Sequence, residues 1–159
     1  MEIKENQELI MENVLSFRGK VTQQQMQDEM MKIGEVIQRI GVQKNGPLTT
    51  ATFSVEEGSL GQVMDVEILV PLNKRVELPA SYTFKPMIKV VHALCARHIG
   101  NPAMLPNTIN ALNDYIVKNN VQVITATYNV IVKDATREDD VNDMIVDIYL
   151  GCNSNNSFC

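Results

Sequence analysis

The sequence predicts an α+β fold built from two β-α-β-β repeats, because two strand-like segments each occur twice. Residues 64–72, MDVEILVPL, align with residues 144–152, MIVDIYLGC, at an offset of 80 positions. Residues 50–55, TATFSV, align in the same way with residues 125–130, TATYNV. The apolar stripes of two candidate helices align as well. We therefore predict two pseudo-symmetric repeats that form a curved antiparallel sheet with both helices on one face.

The first repeat, predicted over residues 13–72, opens with a strand and a helix. Residues 13–21 alternate loosely between polar and apolar side chains and predict the strand, which follows a polar lead-in. Thr22 and Gln25 form a capping-box pattern, and Gly41 is a typical helix stop. The apolar residues between them, at spacings of three and four, are Met26, Met30, Ile33, Ile37 and Ile40.

Two strands joined by a glycine-containing hairpin, residues 50–55 and 64–72, complete the first repeat. Residues 73–86 are polar and contain Pro79 and Pro86, which disfavour both a helix and a central strand. We predict that this segment links the repeats.

The second repeat, predicted over residues 87–152, follows the same order. Residues 87–97 form a strand with an apolar centre, and Asn107 is a candidate N-cap for the second helix. The inward side of that helix carries Ile109, Leu112, Tyr115 and Ile116. The last two strands flank an acidic hairpin loop over residues 133–143, and residues 153–159 form a polar tail.

Composition narrows the function classes. The formal net charge of −5 disfavours a general nucleic-acid binder, which needs a basic surface. No apolar run approaches the roughly 18 residues that a membrane span requires. The first residues lack the basic-then-apolar pattern of a signal peptide, so we expect a cytoplasmic protein with neither a nucleic-acid nor a membrane partner.

The cysteines and histidines predict no cofactor and no metal site, since their spacing matches no zinc motif. Cys95 lies in an apolar run and is interpreted as a small buried hydrophobic residue. Cys152 and Cys159 would close a short loop in an oxidising compartment, whereas reduced thiols are expected in the cytoplasm.

Alternation along the repeated strand separates a core face from a candidate ligand face. Val66, Ile68 and Val70, with their equivalents in the second repeat, are predicted to meet the helices. The opposite face would line a concave cleft between the repeats. The candidate ligand-binding residues on it are Glu67, Leu69, Asp147 and Tyr149, with Tyr128 and Phe53 from neighbouring strands.

Each candidate also has an ordinary structural explanation. A carboxylate on the outward face of a strand is usually solvated, and tyrosines are often half-buried packing groups. The face of Phe53 and Tyr128 is ambiguous, because the apolar neighbours of both rings indicate the helix side. Arg18 and Arg97, at equivalent positions in the two repeats, are explained equally well as surface charges.

This arrangement resembles the gyrase-inhibitor-like, AraC-type effector-binding domains. The resemblance covers nearly the whole chain and is best over residues 91–150. RHIG at residues 97–100 resembles the family's strand-ending glycine, residues 107–118 its second helix, and VDIYL at residues 146–150 its last strand. The resemblance implies a duplicated β-α-β-β fold with a ligand cleft between the halves.

The sequence departs from this family at one position. Members that bind lipophilic cations commonly use a strand glutamate as the counter-charge. When Tyr128 is aligned with the family's usual tyrosine, that glutamate falls near Ala126, which carries no charge. Glu67 and Asp147, on neighbouring strands, are the available substitutes.

Three functions are compatible with these features. The first is a stand-alone small-molecule-binding protein whose ligand is hydrophobic or cationic. The second is a protein-interaction or inhibitor module, favoured by the acidic composition and the loop over residues 133–143. The third is a hydrolase of reactive small molecules, which the resemblance implies for Glu67 and Tyr149. No nucleophile and base occur at a recognisable spacing, so no catalytic residue is assigned.

Overall fold

The computed structural model describes residues 2–59, 61–133 and 142–153, with the backbone alone at Pro102. These residues form β1 (Ile3–Val21), α1 (Gln23–Ile40), β2 (Thr49–Gly58), β3 (Gly61–Pro71), β4 (Thr83–Ile99), α2 (Leu105–Lys118), β5 (Val123–Lys133) and β6 (Ile145–Cys152). The predicted α+β class is confirmed. Within the described ranges, no helix has the length and apolar character needed to cross a membrane.

The chain divides into two compact units. The first unit is Ile10–Ile88, and the second unit combines Met1–Leu9 with Lys89–Cys159. In the first unit, β3 lies between β1 and β2 and is antiparallel to both. In the second unit, β6 lies between β4 and β5 in the same way. Both units therefore show the same strand order, while the duplication and the repeat boundaries stay predictions.

Helix α1 begins and ends where the sequence predicts. The Thr22 side chain accepts a hydrogen bond of 3.2 Å from the backbone N–H of Gln25, and the Gln25 side chain accepts one of 2.9 Å from the N–H of Thr22. These two bonds form the predicted capping box. Gly41 has a φ of 77°, a left-handed conformation that glycine adopts without a steric penalty.

The core of the first unit lies between α1 and its sheet. The buried α1 residues Ile33 and Val36 pack with Ile68 and Val70 of β3, so the predicted helix-facing row is confirmed at these two β3 positions. In the second unit, Leu112 of α2 packs in the same way on β6. The β6 residues in that core are Val146, Ile148, Leu150 and Cys152.

Helix α2 begins earlier than predicted, and Asn107 is not its N-cap. The cap position is Met104, which makes no side-chain capping bond, and a proline lies in the first turn. Proline is favoured there because the first N–H groups of a helix have no partner within the helix. The 3-10 turn Pro102–Met104 precedes the helix, and the side chain of Asn101 accepts a 2.9 Å hydrogen bond from the N–H of Ala103.

Strands β1 and β4 are longer than predicted. β1 begins at Ile3, within the predicted polar lead-in, and Leu9 and Met11 are buried there. Asn6 and Asn13 have positive φ values of 55° and 53°, which interrupts the regular strand geometry and obscures its alternation in the sequence. β4 begins inside the predicted linker and includes Pro86, which is exposed, the usual setting for proline in a strand.

Candidate functional site

Strand β6 presents Asp147 and Tyr149 on the face opposite the core of the second unit. In the antiparallel register, Arg97 of β4 lies opposite Asp147, and Cys95 lies opposite Tyr149. On the other side of β6, Tyr128 of β5 is the register partner of Tyr149. Residues directly opposite each other in an antiparallel pair share a face, so these five side chains point to one side. The helix-side interpretation of Tyr128 is therefore wrong.

Asp147 is held by a two-point contact with Arg97. The guanidinium donates from Nε to Oδ1 at 2.7 Å and from Nη2 to Oδ2 at 2.9 Å. Asp147 is only 8% exposed, so its interpretation as a solvated carboxylate is wrong. The bond to Asp147 raises the pKa of the Arg97 guanidinium. Arg97 is thus the partner of a buried acid and not an isolated surface charge.

Tyr149 and Cys95 add two neutral hydrogen-bonding groups beside this ion pair. The pKa of the Tyr149 phenol is raised to about 12. Burial is the main cause, and the neighbouring Cys95 is the second. Burial also raises the pKa of the Cys95 thiol, although its hydrogen bond with Tyr149 opposes the effect. Cys95 is only partly buried, so its interpretation as a core residue is wrong. Both groups stay protonated at neutral pH.

These side chains line a concave pocket of about 330 Å³, which we call the Tyr149 pocket. Its lining residues are Glu2, Lys4, Gln7, Cys95, Arg97, Asp147 and Tyr149. All of them belong to the second unit. The sequence did not point to the N-terminal residues, because they come from a segment interpreted as a polar lead-in. Arg97 had a usable signal, since the repeat aligns it with Arg18 of the first repeat.

Glu67, in the first unit, is also buried but has different partners. It is 6% exposed, and its Oε2 atom accepts hydrogen bonds of 2.5 Å from Ser16 Oγ and from Lys85 Nζ. The solvated interpretation of this carboxylate is wrong too. Its register partner is Arg18, whose side chain instead contacts Asp65. A lysine from the start of β4 supplies the positive charge in its place.

Phe53 and Leu69 complete the candidates in the first unit. The Arg18 guanidinium lies 3.6 Å from the centre of the Phe53 ring and bonds Asp65 at 2.9 and 3.1 Å. Phe53 is 43% exposed, which contradicts the helix-side alternative that its neighbours indicate. Ala51 lies opposite Glu67 in the register, so alternation places Phe53 on the Glu67 face, and the irregularity between Thr52 and Ser54 moves Val55 to the other face. Leu69 is fully buried.

A larger hollow of about 710 Å³ lies in the first unit, beside the segment between β3 and β4. Two of its polar groups, Tyr82 and Arg75, already have structural partners. Tyr82 donates a 2.8 Å hydrogen bond to Glu29 of α1, and Arg75 lies 5.5 Å from the centre of the Phe84 ring. Tyr82 also packs against the core of this unit. We therefore regard the Tyr149 pocket as the better candidate, because it combines a buried carboxylate, paired with an arginine, with a neutral phenol and thiol.

Two further expectations concern metals and the acidic loop. In the described part of the chain, no cluster of three or more histidine, cysteine, aspartate or glutamate residues is placed to hold a metal ion. Most of the predicted acidic loop, residues 134–141, and the tail from residue 154 lie outside the described residues. The same holds for Cys159, so the suggested loop closure with Cys152 stays a prediction.

Solved structures with the same fold are known. The crystal structure of the EcmrR C-terminal domain superposes on this chain with a TM-score of 0.74 at 18% identity. The match covers 96% of this chain and 96% of the EcmrR domain. The likeness shows a shared fold. The EcmrR chain in its complex with DNA matches with a TM-score of 0.75 at 18% identity over 95% of this chain. This chain spans only 56% of the length of that EcmrR chain.

Two more distant structures share the fold. A hydrolase from Listeria innocua matches with a TM-score of 0.56 at 13% identity, over 96% of this chain and 91% of its own. SAV2435 bound to tetraphenylphosphonium matches with a TM-score of 0.53 at 11% identity, over 97% of this chain and 94% of its own. Neither a protein-family model nor a curated protein matches the sequence.

Proposed function

We propose that this chain is a small-molecule-binding domain of the effector-binding type and that its ligand occupies the Tyr149 pocket. The observation that carries the proposal is the combination within this pocket of a buried carboxylate paired with an arginine and a neutral phenol and thiol. A volume of about 330 Å³ is near the lower end of the range typical of pockets for small organic ligands. The fold shared with the EcmrR C-terminal domain, and with SAV2435 bound to tetraphenylphosphonium, supports the proposal.

Each side chain has a defined part in the proposed recognition. The Tyr149 phenol and the Cys95 thiol bond each other, and the hydrogen that this contact leaves over is offered to the ligand. The pair of Asp147 with Arg97 fixes the floor of the pocket, because a two-point contact restricts both side chains. Tyr128, the register partner of Tyr149, lies on the same face of the sheet but is not one of the lining residues. Gln7 and Lys4 form the wall that the N-terminal segment contributes.

A thermal-shift screen with hydrophobic and cationic compounds tests the proposal, since a ligand that binds the native state raises the unfolding temperature. We expect shifts that Tyr149→Phe and Asp147→Asn reduce strongly. The matched control is Asp65→Asn, the same change in an arginine-paired aspartate of the first unit, which should leave the shifts intact. The absence of any shift across a broad panel, or shifts indifferent to both pocket variants, would count against the proposal.

Alkylation of Cys95 gives a second readout at the pocket itself. A bound ligand should slow the reaction of this partly buried thiol with iodoacetamide, measured for each cysteine by peptide mass spectrometry. Cys152 is 2% exposed and serves as an internal reference for global unfolding. Slower labelling of Cys95 without any change at Cys152 is the expected result.

Hydrolysis has weaker support. The likeness to a hydrolase from Listeria innocua favours it. However, the nucleophile candidates in the pocket, Tyr149 and Cys95, both have raised pKa values and are therefore protonated at neutral pH. Turnover of an activated ester that disappears in Tyr149→Phe would favour this second function over binding alone.

A further inference from the structure

We infer that the Tyr149 pocket selects uncharged ligands that accept hydrogen bonds and that it rejects organic cations. This inference rests on the proposed function, because it concerns the same pocket. Asp147 is the carboxylate best placed to attract a cation there, and it already has a cationic partner within the protein. The selection follows from that internal pairing.

The two-point contact leaves neither oxygen of Asp147 without a cationic donor. Arg97 engages Oδ1 at 2.7 Å and Oδ2 at 2.9 Å, and bidentate pairs of this kind are among the strongest hydrogen-bonded contacts in proteins. A ligand cation would have to displace the guanidinium or bring its own charge close to it. Both alternatives have an electrostatic cost that an uncharged ligand does not incur.

The other lining residues supply no excess of negative charge. Glu2 and Lys4 contribute one charge of each sign, and both are exposed. The face of the Tyr149 ring is a site where a cation could be attracted. However, the positive charge of Arg97 already acts on Tyr149. Because Tyr149 and Cys95 also bond each other, one hydrogen of this phenol and thiol remains for a ligand, and it matches an uncharged acceptor.

Matched pairs of small aromatic compounds test this selection. One pair is 2-methylquinoline, which is uncharged in mildly alkaline buffer and accepts through its ring nitrogen, and N-methylquinolinium, a cation of the same size without an acceptor. Other pairs vary the ring system in the same way. Isothermal titration should show that the wild-type protein binds the uncharged members about tenfold more tightly or better.

Substitution of Arg97 should reverse the preference. Arg97→Met leaves Asp147 without its cation, so this variant should bind the cationic members about tenfold more tightly than the wild-type protein does. The double variant Arg97→Met with Asp147→Asn removes both charges and should lose that gain. Arg18→Met, which frees Asp65 of the first unit in the same way, is the matched control and should keep the wild-type preference.

The outcomes separate this inference from the proposed function. Wild-type protein that prefers the cationic members would overturn the inference and leave the binding proposal standing. An unchanged preference in a folded Arg97→Met protein would also overturn it. Absence of binding for both members of every pair would count against the inference and the proposed function together.

Discussion

Two arginine–aspartate pairs with nearly the same geometry differ in their surroundings. The side chains of Arg18 and Asp65 are 50% and 23% exposed, and those of Arg97 and Asp147 are 52% and 11% exposed. Exposed pairs contribute little to stability, with a typical range of about 0 to 1 kcal/mol. What distinguishes the pair at Asp147 is its position beside Tyr149 in a pocket. The main role of the Arg97–Asp147 pair is therefore to set the electrostatic environment of the pocket, and its effect on stability is small.

The Tyr149 phenol should ionise only at an unusually high pH. Its pKa is raised from an ordinary value of ~10 to about 12, chiefly by burial. Because the folded state favours the neutral phenol, this group's contribution to stability is complete below the ordinary pKa and is lost as pH rises through the folded value. The tyrosinate absorbance of the wild-type protein and of Tyr149→Phe is measured as the pH is raised. We expect the difference between the two curves to have its midpoint near the raised pKa of about 12. A midpoint at the ordinary value would contradict the burial of this group.

Gly151 should tolerate no side chain. A Cβ atom there would lie 2.6 Å from Thr125 Cγ2 and 3.0 Å from Val90 Cγ1, and Thr125 Oγ1 already accepts a 2.9 Å bond from the Gly151 N–H. Gly151→Ala should therefore lower the free energy of unfolding in urea by about 1 to 3 kcal/mol. The control is Gly34→Ala in α1, where the added atom meets nothing within 4 Å. That change should raise the free energy of unfolding by about 0.5 to 1 kcal/mol. Equal effects at the two positions would contradict the packing described.

At the scale of elements, local signals predicted α1 well and α2 less well. The ends of α1 are set by Thr22, Gln25 and Gly41, which act through bonds within a few residues and are therefore visible in the sequence. The start of α2 depends on a 3-10 turn and on His98 at the end of β4. The ring atoms of His98 lie 2.7 Å from Thr108 Oγ1 and 3.0 Å from the carbonyl oxygen of Asn101. Such a contact depends on how the strand meets the helix, which no spacing rule encodes.

The start of β4 is attached to β3 by a buried ion pair, and breaking one side of it should be costly. Lys85→Met leaves Glu67 buried without its cation and should lower the free energy of unfolding by about 2 to 3 kcal/mol. That is less than for a fully buried pair, because the Lys85 side chain is 39% exposed. Adding Glu67→Gln should restore at least half of the loss in urea denaturation. A double variant as unstable as the single one would show that the lysine stem matters more than its charge.

At the scale of the whole molecule, periodicity predicted the α+β class and the helix-facing rows of β3 and β6, because burial repeats along each element. The ligand face was harder to predict. Glu67 and Asp147 were identified by alternation, but their partners Lys85 and Arg97 depend on strand register and on side-chain reach. The face of Phe53 was also hard to predict, because its apolar neighbours Ala51 and Val55 lie on opposite faces across an irregular register. The N-terminal residues of the Tyr149 pocket join the second unit across a long stretch of sequence, and no local pattern indicates such a contact.

An NMR titration with the most stabilising compound from the thermal-shift screen tests ligand binding at the Tyr149 pocket most directly. If the pocket binds the ligand, the largest amide shift changes will fall on Cys95, Arg97, Asp147 and Tyr149, and Tyr149→Phe will weaken the binding that they report. Shift changes confined to the first unit, for example around the hollow at Arg75, would contradict binding at this pocket.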